Sequence, residues 1–222
     1  MTTLEVAIEA VAEAIAAEKG GANSVEVSQD LAHDGLTPSI ALIEQIREAV
    51  SIDIHVIVRP HDRDFVYTPD ELETILADTA ALVAVGVTGI VFGAQTSSGE
   101  LDVPMIKQVA SVAGPATFTL HRAIDSARQP TEGLGALSGT LDRVLTSGPA
   151  ATAWAGREGL KAWQQQFGQQ MAFIAAGSIR AEMVPQIIKE TGVSGIHVGS
   201  AARKHGIVTI EKVAQLRHLL DG

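Results

Sequence analysis

A closed (β/α)8 barrel, the TIM-barrel fold, is what this sequence predicts, on three observations. Eight apolar strand-like segments alternate with eight helix-like segments along 222 residues. Each strand and helix unit takes roughly 27 residues, close to the unit of such a barrel and at odds with the five or six strands of most open doubly wound sheets. There is no Asn-Gly hairpin signal between strands, and no G-x-G-x-x-G fingerprint follows the first strand. The prediction is a single domain over residues 1–222 with short helices and tight loops.

The elements follow in order. Leu4 to Ile8 alternates as a strand, and the Ala-rich run from Ala10 to Lys19 reads as a helix stopped by Gly20 and Gly21. In the second strand, Ser24 to Ser28, a period of two puts Glu26 on the face opposite Val25 and Val27. Thr37 and Pro38 read as the N-cap and first residue of a helix ending near Val50. Asp53 to Val58 is the third strand, and Thr68, Pro69 and Glu71 form a capping-box pattern for a helix reaching Val85. Val87 to Phe92 is a buried strand, followed by a helix from Asp102 to Val112. Ala116 to His121 is the fifth strand, Pro130 to Ser138 a short helix weakened by Gly133 and Gly135, and Leu141 to Leu145 the sixth strand. A helix from Ala151 to Phe167, a strand from Met171 to Ala175 and a helix from Arg180 to Glu190 come next. The chain finishes with a strand from Ser194 to Val198, a loop from Gly199 to Gly206 and a helix from Thr209 to Leu220.

Composition narrows the function classes. With 26 acidic and 16 basic residues the net charge is −10, and no basic run tracks a phosphate backbone, so nucleic acid is not an expected partner. The absence of cysteine removes disulfides, thiolate nucleophiles and thiolate metal sites together. The N-terminal stretch carries Glu5, Glu9, Glu13 and Glu18 and no basic lead, and no apolar run approaches the roughly 20 residues of a bilayer span, so a cytoplasmic protein without membrane contact is expected.

In a barrel of this kind the residues just past each strand converge on one mouth. His121, Glu26 and Asp125 are the candidate catalytic group, with His121 moving a proton near neutral pH and Asp125 orienting it. Glu5, Arg59, Asp64, Arg122, Thr146, Ser147, Gly148 and His197 are candidate ligand-binding residues. Arg59 is a natural cation to sit between Glu5 and Glu26. The paired Gly177, Ser178 and Gly199, Ser200 after the seventh and eighth strands suit an anion held by loop amides. His55, early in its strand, reads as a core histidine. His33, Asp34, His61, Asp62 and Asp64 lack a metal-ligand spacing, so neither a metal nor another cofactor is expected.

The segments GANSVEVSQDLAHDGLTPS, HVIVRPHDRDFVY, GIVFGAQTSSGELD, TFTLHRAID and DRVLTSG, with the AAGSI exit, resemble the CutC family of copper homeostasis proteins in the same order along nearly the whole chain. The resemblance implies a cytoplasmic TIM barrel, a homo-oligomer with a dimer as first expectation, and a polar pocket at the strand ends. Ala7 and Ser28 stand where the family commonly has cysteines, so soft Cu(I) coordination by thiolate is not available here. The functional expectation is binding of a small anionic metabolite at the mouth with acid/base chemistry. Its alternative is non-catalytic binding or trafficking of a metal ion such as copper.

Overall fold

Short segments of Val, Ile, Leu and Phe bounded by turn residues form the strands, because such side chains pack well on a pleated surface buried on both sides. The computed structural model describes residues 2–222, with parallel strands β1 Thr3–Ile8, β2 Ser24–Val27, β3 Asp53–Ile57, β4 Gly89–Phe92, β5 Thr117–Leu120, β6 Arg143–Thr146, β7 Ala172–Ala175 and β8 Gly195–Val198. They close in sequence order, β1 pairing with both β2 and β8. Around them lie α1 Val11–Lys19, α2 Ile40–Ala49, α3 Pro69–Ala84, α4 Val103–Ala113, α5 Pro130–Ala136, α6 Arg157–Phe167, α7 Val184–Thr191 and α8 Ile210–Asp221. The predicted (β/α)8 barrel is the observed one. Among the described residues no helix is long and apolar enough to cross a membrane.

Several helix starts follow the local signals. Thr68 and Glu71 make the reciprocal capping box of α3, and the Asp102 and Thr209 side chains cap α4 and α8. Others differ for tertiary reasons. Ser39, not Thr37, caps α2, because Thr37 is stitched to the end of β3: its amide donates to the Arg59 carbonyl at 3.0 Å, and the Arg59 amide donates to its hydroxyl at 2.8 Å. Helix α6 starts at Arg157 rather than Ala151, after a run of turns in which Gly156 packs on Gly148. The loop expected after β8 contains a hairpin, β9 Arg203–Lys204 with β10 Ile207–Val208. Its corner is His205 and Gly206, both with positive φ, the conformation a tight two-residue turn requires.

The two faces of the barrel strands differ in chemistry. Outward residues such as Leu4, Val6, Ile8, Val25, Val27, Ile54 and Val56 join the helices in one apolar core. Barrels of this type commonly fill the interior with branched aliphatic side chains. Here the inward positions include Glu5, Glu26, His55, Arg143 and His197, with a small apolar cluster of Leu145, Ile174 and Ala176 above them. Room for the polar groups comes from glycine. A β-carbon on Gly89 would lie 2.5 Å from His55 Cδ2 and 2.9 Å from the Thr117 carbonyl oxygen.

Gly89→Ala is therefore expected to displace His55 and to destabilise the barrel by about 1–3 kcal/mol, the cost of overpacking a full interior. Urea unfolding measures it, and a variant as stable as the wild type would show the interior to be looser than drawn.

Candidate functional site

Strand periodicity places Glu5 inside the barrel, where a carboxylate out of water needs partners on every lone pair. Its Oε2 accepts from Ser24 Oγ at 2.9 Å, His55 Nδ1 at 2.5 Å and Arg143 Nη2 at 2.8 Å, while Oε1 faces His197 Nδ1 at 3.1 Å. Arg143 Nη1 also lies against both ring nitrogens of His55, 3.0 Å from Nε2 and closer to Nδ1. Burial works against the Glu5 charge, but Arg143, then His55 and His197, outweigh it and hold the carboxyl well below its ordinary range.

Glu26 lies beside this network and lacks such support. Its Oε2 is buried with no hydrogen-bond partner. Burial raises its pKa, and the attraction of His197 only partly opposes that. For His197 burial acts downward, yet Glu26 and Glu5 prevail and its pKa is raised.

Above lies a cavity of about 740 Å3 at the C-terminal ends of the strands. Of the expected site residues, Glu26, Arg59, His121, Arg122, Asp125, Gly177, Ser178, His197, Gly199 and Ser200 line it. Leu31, Ile57, Phe65 and Leu145 supply apolar wall. Glu5 sits below it, and Asp64 is turned to its own loop, accepting from the Val66 amide at 2.9 Å.

Arg59 does not bridge the glutamates. It emerges past β3 and donates to the carbonyls of His33, Gly35 and Asp62 at 2.9–3.1 Å, with Phe65 5.1 Å from its guanidinium carbon. No carboxylate lies within ion-pair distance of it among the described residues, and its Nε has no partner. The cation beside Glu5 is Arg143, which the sequence reading missed. The signal was present: a period of two back from Ser147 through Leu145 points Arg143 into the same interior.

His121 also differs from expectation. Its Nδ1 accepts from the Ala123 amide at 3.1 Å, leaving the hydrogen on Nε2, which is buried and unpartnered. Burial, then the positive Arg59, lower its pKa to about 3, so the imidazole is uncharged at neutral pH instead of titrating there. Asp125 does not orient it. Residues Arg122–Ser126 form a 3-10 turn, whose three-residue period turns position 125 away from position 121. Asp125 instead accepts from Arg122 Nε at 2.7 Å, from Ser147 Oγ at 2.8 Å and from the Thr146 hydroxyl, tying the exit of β5 to that of β6. Thr146 and Ser147 are thus consumed as anchors, and Gly148 takes the positive φ of the turn beyond them. Arg122 reaches over Gly177, with Nη2 3.3 Å from Ser147 Oγ.

Fold and site together define a TIM barrel with a charged interior and a ligand-sized cavity at the C-terminal ends of its strands. The chain belongs to the CutC family, whose model matches residues 2–202. A family protein CutC from Bacteroides fragilis is 36% identical, the match covering 87% of this chain and 78% of the relative. One from Xylella fastidiosa is 34% identical, covering 98% and 88%. The solved structure of CutC from Streptococcus agalactiae, named for copper homeostasis, superposes with a TM-score of 0.84 at 24% identity, covering 90% of this chain and 99% of the other. Thiamine phosphate pyrophosphorylase from Pyrococcus furiosus, at 16% identity and TM-score 0.68, covers 99% of this chain and 95% of its own and shares the fold.

Two expectations follow from the geometry. Glu5→Gln leaves Arg143 uncompensated inside the barrel and is expected to cost about 3–5 kcal/mol of stability, with Arg143→Met in the same chain recovering part of the loss. Chemical denaturation of the wild type and the two variants checks the sign of that coupling. The second concerns His121, whose folded pKa of about 3 lies below an ordinary value of 6.5. Its stabilisation is complete above pH 6.5 and is lost as pH falls toward 3, at up to about 1.4 kcal/mol per pH unit. Stability curves for the wild type and His121→Gln should converge as the pH falls through that window; parallel curves would refute the shift.

Proposed function

We propose that the barrel mouth binds a small anionic metabolite and that Glu26 moves a proton on it. The observation carrying this reading is Arg59, a buried guanidinium without a carboxylate partner at the cavity wall. A buried positive charge so placed favours an anion from the opening. His121 is suited to donate Nε2–H to a ligand oxygen, as an uncharged imidazole does. Glu26, whose carboxyl burial holds above its ordinary range, is the group placed to give or take a proton. The glycine-bearing turns at Gly177, Ser178, Gly199 and Ser200 let the backbone approach the ligand closely. A cytoplasmic homodimer accompanies this reading on family resemblance.

The copper role named for the Streptococcus agalactiae relative is the second reading. The side chains here do not fit it. The chain has no cysteine, and the grouped donors of the barrel interior are carboxylate oxygens and an imidazole nitrogen, which suit harder ions than Cu(I).

A thermal-shift screen of small carboxylates and phosphates tests the anion reading. A ligand at a hundred times its Kd stabilises by about 2.7 kcal/mol, which for a chain of this size raises Tm by about 5–10 °C. Arg59→Gln, with its fold checked by circular dichroism, should abolish the shift. If no anion separates wild type from variant, the reading fails.

A further inference from the structure

Below the mouth, strands far apart in sequence bring a second set of groups together. Ligand atoms of Glu5, Glu26 and His197 lie within 4.8 Å of one another, although 192 residues separate the first from the last. The three are not equivalent. Glu5 is saturated, one oxygen taken by Ser24, His55 and Arg143 and the other by His197 Nδ1. That contact leaves Nε2 as the ring nitrogen available to a ligand, and His197 lines the cavity. Glu26 lines it too, only 6% exposed and with Oε2 unpartnered.

We propose that the barrel floor binds a divalent cation of the zinc class through the Glu26 carboxylate and His197 Nε2, with Glu5 orienting the histidine from behind. A metal-ligating histidine almost always donates its second ring N–H to a carboxylate or carbonyl, which fixes the ring and raises its basicity. Glu5 and His197 already make that contact. An imidazole nitrogen with a carboxylate oxygen is a donor pair for zinc and its divalent neighbours, whose remaining positions would be filled from the cavity. Charge agrees. Arg143 pairs with Glu5, and among the described residues Glu26 makes no ion pair, so Glu26 is the negative group facing the cavity from this floor. A dication there makes the floor positive overall, which adds to the field of Arg59 and would tighten binding of an anion.

The site does not rest on the anion reading, and a bound cation would take the Glu26 carboxylate that the proposed proton transfer uses, so it is tested with the metal alone. Zinc chloride is titrated calorimetrically into the full-length chain, beside Glu26→Gln, His197→Gln and His33→Ala. The last removes the exposed His33–Asp30 pair, a surface competitor for zinc. One zinc per chain is expected, with affinity reduced about tenfold or more by Glu26→Gln and by His197→Gln and unchanged by His33→Ala. Thermal melts verify folding. Should His197→Gln fail to fold, histidine 15N shifts of the wild type with zinc report whether the His197 Nε2 signal moves. Absence of saturable binding, or binding indifferent to Glu26→Gln, overturns the proposal; neither result alters the outcome of the anion screen.

Discussion

The buried carboxylate of Glu5 is the constraint on which the rest of the interior depends. An ionised group removed from water is costly unless every lone pair is engaged, and Glu5 draws on β2, β3, β6 and β8 to achieve this. These contacts brace the barrel across its width. They also explain its small residues: Gly89 has no side chain because His55 occupies that space. Such pairs add little net stability compared with an aliphatic filling, but they impose a single arrangement, because any slip in register leaves charges unpaired.

That arrangement separates a floor from a mouth. At the floor, Glu5 is fully served and passes its influence to His197, whereas Glu26 is left short of partners and so remains responsive. At the mouth, Arg59 is held by three carbonyls and His121 by one amide, so neither moves freely, yet each presents an unpartnered nitrogen. Asp125 works differently, as a clasp between two strand exits. Preorganised groups of this sort suit a ligand whose charges they complement.

Membership of the CutC family is secure from the match over residues 2–202, but a shared fold does not carry a function. The chemistry of this chain points away from thiolate copper binding and toward oxygen and nitrogen donors. Its cavity is walled by Phe65, Leu31 and Leu145 as well as by charged groups.

Much of this was legible beforehand. Strand periodicity and capping residues identified the barrel, its eight units and the Thr68–Glu71 cap, because those depend on neighbours a few positions away. The same periodicity put Glu26 on the face opposite Val25 and Val27, and a place early in its strand marked His55 as a core residue. It could not say which cation would meet Glu5, since Arg59 and Arg143 both follow strand logic and only closure of the barrel brings β6 opposite β1. Nor could it show that the turn after β5 is a 3-10 turn, which hands Asp125 to Ser147 rather than to His121. Local pattern thus determined which residues face inward. Their partners and charge states were set by three-dimensional closure, because electrostatic interactions in a buried interior act between groups that the chain separates by more than a hundred residues.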